Sequence, residues 1–201
     1  MKKYLLTLLI ALFGISCSGG NDPLSEPTDP TDPTEPLGDQ KVLVIYYTRT
    51  GNTKQIANFI HATVECDIVE LETVEPYPEA YNDILTQAQN ELNSGYRPAL
   101  KTTIEDIGKY DVIIIGHPIW HGHVPPPVQS LLAGYDFSGK KIAPFCTHGG
   151  SGVAQSRSDI SRLCPNSTLL ESLAVSGSTA GNAKDNVTNW LRKIGIIQAD
   201  N

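Results

Sequence analysis

KVLVIYYTRTGNT, Lys41 to Thr53, sets a β-branched apolar run directly against a run of hydroxyls with a glycine and an asparagine among them. Val42, Leu43, Val44 and Ile45 form a continuous apolar segment without polar alternation, which predicts a strand buried on both faces. The following segment, TKQIANFIHATV at 53–64, repeats its apolar residues at helical spacing. Between the two, Thr48, Arg49, Thr50, Gly51, Asn52 and Thr53 offer hydroxyls and backbone N–H groups to an anion, and the helix points its positive dipole end at the same place. The loop is neither G-x-x-x-x-G-K-[ST] nor G-x-G-x-x-G, because it has one glycine and no such lysine. Its density of hydroxyls suits a phosphate monoester held without a metal. The plainer alternative is a capped helix start, since Thr and Asn are good caps.

Working outward, CDIVELE (66–72), DVIIIGH (111–117) and KIAPFCT (141–147) have the same short, apolar character, and LLESLAVSG (169–177) is a weaker fifth strand. Helix-period segments separate them: YNDILTQAQNEL (81–92), PPVQSLLAGY (126–135) and SRSDISRLC (156–164), with NVTNWLRKIGI (186–196) closing the chain. Buried strands alternating with helices predict an α/β fold, a five-stranded parallel sheet covered on both faces in a three-layer sandwich. Ligands of such sheets sit outside the carboxyl ends of the strands, where strand order reverses. The loops after the first, third and fourth strands are therefore the places to look for chemistry.

The loop after the third strand lies in GHPIWHGHVPPP, Gly116 to Pro127, whose histidines at 117, 121 and 123 invite a metal reading. Pro118 and the triple proline break a helix that would align them, an extended H-x-H points its imidazoles to opposite faces, and no acid stands between Asp111 and Asp136. No metal is predicted. His117 is read as a packed residue at the strand end, His123 as solvent-facing, and the prolines as the first turn of the next helix. Trp120 offers a flat aromatic face, and Gly122, Gly149, Gly150 and Gly152 let backbone N–H groups approach a ring edge closely. Trp190 reads as core packing, and Tyr77 and Tyr81 as a satellite cluster in the loop after the second strand.

Taken together, three segments resemble the flavodoxin family over the whole region from Lys41 to the C-terminus. Thr48-Arg49-Thr50-Gly51-Asn52-Thr53 is similar to the FMN phosphate loop of flavodoxins. His117-Pro118-Ile119-Trp120-His121-Gly122 is similar to the segment these proteins place beside the isoalloxazine, and Phe145-Cys146-Thr147-His148-Gly149-Gly150-Ser151-Gly152 resembles their second flavin loop. The resemblance implies strand order 2-1-3-4-5 and noncovalent FMN. The FMN-binding residues it implies are Thr48, Arg49, Thr50, Gly51, Asn52, Thr53, Pro118, Ile119, Trp120, His121, Gly122, Thr147, His148, Gly149, Gly150 and Gly152. It also implies a glycine-containing turn that reorients on flavin reduction, for which Gly122 is the candidate. His121 stands where relatives often have an aromatic residue, and His148 where long-chain flavodoxins have a stacking tyrosine. A partly protonated His148 near the N1 edge is expected to raise the potential.

The implied function is electron transfer through FMN, as a carrier docking redox partners by an acidic face. The alternatives are an FMN-dependent oxidoreductase passing hydride from NAD(P)H to a quinone or similar acceptor, and a flavin-free binding lipoprotein. No catalytic side chain is assigned.

Upstream, Met1, Lys2 and Lys3 precede the apolar run YLLTLLIALFGI, the pattern of a secretory signal over residues 1–16. Cys17 after Ser16 resembles the lipobox of bacterial lipoproteins, with Gly14 where the pattern usually has Leu, so Cys17 is the expected lipidation site. Residues 17–39, rich in Pro, Thr and Asp, predict an extended tether, and residues 40–201 the folded domain. The expected location is the bacterial cell envelope, anchored to the membrane by lipid, or the periplasm if the signal is only cleaved. Without residues 1–16 the charge is 13 bases minus 22 acids, or −9, which argues against nucleic acid as a partner. Cys66, Cys146 and Cys164 allow one disulfide and a free thiol in an oxidising compartment, or three small buried hydrophobes.

Overall fold

The computed structural model describes residues 40–198, so the expected signal, Cys17 and tether lie outside the described residues. The chain runs through β1 (Val42–Tyr46), α1 (Asn52–Thr63), β2 (Asp67–Glu70), α2 (Tyr81–Ser94), β3 (Val112–Pro118), α3 (Pro126–Gly134), β4 (Lys141–His148), α4 (Ser156–Leu163), β5 (Thr168–Leu169), β6 (Leu173–Ser176) and α5 (Lys184–Lys193). The sheet is parallel throughout, in the order β2-β1-β3-β4-β5, with β6 also pairing β4. The flavodoxin-like order expected from the sequence is the order observed.

Strand parity assigns the two faces. Val44, Ile114 and Phe145 point one way and pack with Ile56, Ala57 and Ile60 of α1 and with Val187 and Leu191 of α5. Ile45, Ile113, Ile115 and Ile142 point the other way, against Ile84 and Ala88 of α2, Val128, Leu131 and Leu132 of α3, and Ile160 of α4. Each fully buried Leu or Ile contributes about 1.5–3 kcal/mol of burial, so both covered faces are needed to hold the sheet. Trp190 is 5% exposed and lies in the first of these cores, as its helical spacing predicts.

The fifth strand departs from expectation. LLESLAVSG is not one strand: β5 pairs with Lys141 and Ile142, β6 with Phe145 to His148, and Leu170, Glu171 and Ser172 interrupt them on the same edge of β4. Side chains take over the carbonyls of the excursion, with Trp190 Nε1 donating to Glu171 O at 2.9 Å and Arg157 Nη1 to Leu170 O at 2.5 Å. Backbone groups satisfied in this way need no continuous ladder. Among the described residues the cysteines form no disulfide: Cys146 and Cys164 are buried as small hydrophobes and Cys66 is half-buried.

Candidate functional site

Beyond the carboxyl ends of β1, β3, β4 and β6 lies a cavity of about 400 Å³. Of the residues expected from the sequence, Arg49, Thr50, Asn52, Pro118, Ile119, Trp120, Thr147, His148 and Gly149 line it together. Thr48, Gly51, Thr53, His121, Gly122, Gly150 and Gly152 do not line it. The cavity has further walls: Tyr81, which stands at the start of α2 rather than in the satellite cluster expected from the sequence, and, missed by the sequence reading, Ile84 and Leu85 of α2 and Ser176, Gly177 and Ser178 at the end of β6.

The first loop is built for something other than capping. Gly51 precedes α1 in the left-handed conformation, φ 86°, which glycine adopts without steric cost, and no side chain caps the helix. Thr48 Oγ1 accepts the Gly51 N–H at 3.1 Å and so closes the turn from outside the helix. The capped-helix alternative therefore fails, and Thr50 and Asn52 face the cavity instead. Thr53 is 1% exposed and shares a 2.8 Å hydrogen bond with Thr147 Oγ1, which ties the first loop to β4. Arg49 Nη2 donates to Pro78 O at 3.1 Å and Glu79 O at 2.8 Å. Those two bonds fix the loop before α2 against the first loop.

The second loop forms a tight reverse turn. Trp120 and His123 exchange backbone hydrogen bonds, His123 N to Trp120 O at 2.8 Å and Trp120 N to His123 O at 3.2 Å. Two positive φ angles between them, 49° at His121 and 82° at Gly122, give the primed geometry of such turns. The Gly122 carbonyl accepts from Gln155 N at 2.9 Å, and the His121 ring bonds Leu85 O at 2.8 Å, anchoring the turn to α4 and α2. Trp120 is 7% exposed. It meets Tyr77 edge-on with ring centroids 5.1 Å apart, and Tyr47 at 5.6 Å. Tyr77 thus packs against the second core, half-buried, rather than in a separate satellite cluster, and its hydroxyl is bonded to Glu91. Burial and that carboxylate raise its phenol well above the ordinary range, while burial pushes the Tyr47 phenol up to about 12.

The three histidines of this region are each committed elsewhere. His117 is fully buried, with Nδ1 against Pro118 O and Nε2 sharing a 3.0 Å hydrogen bond with Ser156 Oγ, and desolvation lowers its pKa to about 4. The packed reading of His117 holds. His123 is not solvent-facing: its ring is one-third exposed and bonds Asp159 Oδ2 at 2.9 Å, the same oxygen that accepts Val124 N at 3.2 Å. Asp159 is buried behind the turn, which draws His123 in. Among the described residues no group of three His, Cys, Asp or Glu side chains is placed to hold a metal.

In the third loop, Gly150 N donates to His148 Nδ1 at 2.9 Å. That contact closes the turn from His148 to Gly150. Gly150 and Gly152 have φ of 135° and 60°, which explains the glycines here without any ligand.

A parallel doubly wound sheet with a hydroxyl-rich first loop and an aromatic floor at its carboxyl edge is that of a flavodoxin-like α/β protein. The chain belongs to the flavodoxin family, whose model matches residues 41–194. It has no match among curated proteins. Among solved structures it is similar to a protein from Bacteroides eggerthii DSM 20697 assigned as a flavoprotein, with 29% identity and a TM-score of 0.70 over 79% of this chain and 100% of that one. A second, from Bacteroides uniformis ATCC 8492, is 26% identical with a TM-score of 0.68 over 76% of this chain and 98% of that one. The fold is shared with a flavoprotein in complex with FMN from Lactobacillus acidophilus NCFM, 22% identical, with a TM-score of 0.60 over 75% of this chain and 98% of that one.

Proposed function

We propose that the protein binds FMN noncovalently in this cavity and carries electrons through it. The observation that supports this best is the pairing of two unlike ends in one space of ligand size. Arg49, Thr50 and Asn52 offer polar contacts at one part of the wall, and Pro118, Ile119 and Trp120 an apolar aromatic floor at another. A flavin mononucleotide has the same division between a phosphate and a flat ring. When bound, FMN supplies the redox chemistry by accepting and releasing electrons at its ring. The chain's own contribution is to hold the phosphate between Arg49 and the neutral donors of Thr50 and Asn52, to bury one ring face against Trp120, and to keep Tyr47 and Tyr77 neutral behind it.

An acidic chain of net charge −7 supports docking of a basic redox partner. The N-terminal pattern supports a bacterial lipoprotein attached through Cys17, with residues 17–39 as the spacer that lets the domain reach partners off the membrane. Among the described residues no helix is long and apolar enough to cross a membrane.

The test is an absorption spectrum of the purified protein after FMN is added, recorded during titration with dithionite and then, on a fresh sample, with NADPH. A flavin spectrum that dithionite bleaches and NADPH leaves intact is the expected result for a carrier. Bleaching by NADPH would replace the carrier with an NAD(P)H oxidoreductase, and absence of bound flavin would refute FMN altogether.

A further inference from the structure

The end of β6 brings a second hydroxyl-rich turn to the cavity. Ser176, Gly177 and Ser178 line the same space as Arg49, Thr50 and Asn52. Ser176 stands level with His148 in the β4–β6 register, so the turn enters beside the third loop. Gly177 allows a close approach: a Cβ there would lie 2.8 Å from Asn52 Nδ2 and 3.7 Å from His148 O. Of these two neighbours, the Asn52 amide is the one that would have to move. Ser176 and Ser178 share one hydrogen bond at 2.9 Å. Each hydroxyl has one proton and that bond uses one of the two, which leaves a donor for a ligand.

Charge does not complete a phosphate site here by itself. Arg49 is the cationic side chain on the wall, and its Nη2 already donates to two carbonyls. A phosphate monoester entering this site needs further donors, and hydroxyls that rotate into place supply strong bonds to an anionic oxygen.

We propose that Ser176-Gly177-Ser178 is the second half of the phosphate cradle, facing Asn52, and that Gly177 sets its affinity by leaving the Asn52 amide in place. The ligand class is a phosphate monoester. The inference rests on the reading that the cavity takes FMN, and it adds a contact from the fifth strand position to the three loops identified from the sequence.

Fluorescence titrations of the full chain with FMN and with riboflavin, which lacks the phosphate, test it. Ser176→Ala/Ser178→Ala is expected to weaken FMN binding about tenfold or more, the size of a lost bond to a charged group, and to leave riboflavin binding unchanged. Gly177→Ala is expected to act in the same direction by displacing Asn52, and Ser178→Thr, which keeps the hydroxyl, to retain FMN affinity. Far-UV circular dichroism identifies any variant that has lost its fold; if the double variant has, Gly177→Ala decides. FMN affinity equal to wild type in the folded variants overturns the inference and leaves the FMN reading standing, and so does an equal loss for FMN and riboflavin. A wild-type chain that takes up neither flavin overturns both.

Discussion

Lowering the pH from 7.5 to 5 is expected to destabilise the protein through His117. The ring is fully buried between β3 and α4, and desolvation lowers its pKa from the ordinary 6.5 to about 4. In the unfolded chain the same ring takes up a proton near 6.5, so between the two values the unfolded state binds more protons and stability falls with pH. The linkage gives about 2 kcal/mol lost at pH 5 and roughly 3 kcal/mol once the pH passes the folded value. The protective contribution is thus fully present above 6.5 and gone below about 4. Urea unfolding at pH 7.5, 6.5, 5.5 and 5.0, followed by tryptophan fluorescence, measures the slope. His117→Gln keeps an acceptor for Ser156 and removes the titration, so the difference between the two proteins isolates this histidine from the other ionising groups. If wild type and His117→Gln lose stability in parallel between pH 7.5 and 5, the argument from burial is refuted.

Gly116→Ala is expected to cost about 2 kcal/mol or more by urea unfolding, because a Cβ at this position would lie 2.0 Å from Phe145 Cζ and a packed core absorbs it only by shifting. Thiol titration of the native protein should count Cys66 before Cys146 and Cys164, which should react only after denaturation: burial raises the thiols of Cys66 and Cys164 to about 11 and that of Cys146 to about 12, so it is access, half-buried against buried, that separates them. Trp120→Ala should destabilise the chain by about 3–5 kcal/mol and reduce the flavin-induced quenching of tryptophan fluorescence to the part that Trp190 contributes. His148→Ala, which removes the acceptor for Gly150 N, should speed amide exchange across residues 149–152, whereas His148→Asn should restore protection because Asn accepts from the residue two positions on.

The sheet was legible because its strands are continuous apolar runs, and a run such as Val112 to Ile115, buried on both faces, has no other stable placement. The first loop was legible because three threonines and a glycine directly after such a strand are unusual, although the structure gives two of the threonines structural bonds, Thr48 to Gly51 N and Thr53 to Thr147, and none of them a helix cap. Residues whose role depends on a distant partner were less readable. His123 looks exposed until Asp159, 36 positions later, is brought beneath it. Tyr77 looks like a loop residue until Trp120 and Glu91 meet it from two other elements. Tyr81, 73% exposed at the start of α2, and the Ser-Gly-Ser turn after β6 carry no local signal of a cavity. A serine-flanked glycine after the weakest strand was the one available hint, and the interruption at Leu170 to Ser172 obscured where that strand ended.

The loops around the cavity are joined to one another rather than left to the ligand. Thr53 bonds Thr147 and links the first loop to β4; Arg49 holds the carbonyls of Pro78 and Glu79 and links it to the start of α2. His121 reaches Leu85 O, so the aromatic turn is held to the same helix, and Gly122 O accepts from Gln155 N, so it is also held to α4. Each bond spans elements far apart in sequence, and together they fix the distance between the hydroxyl-rich wall and Trp120. A site fixed in this way loses little conformational freedom when it fills, and its affinity is concentrated on ligands whose anionic and aromatic ends have that one separation. The same rigidity makes the supporting residues as consequential as the lining ones: Thr53, His121 and Gly122 do not line the cavity, yet Thr53 and His121 bond the wall residues Thr147 and Leu85, and Gly122 completes the turn that carries Trp120.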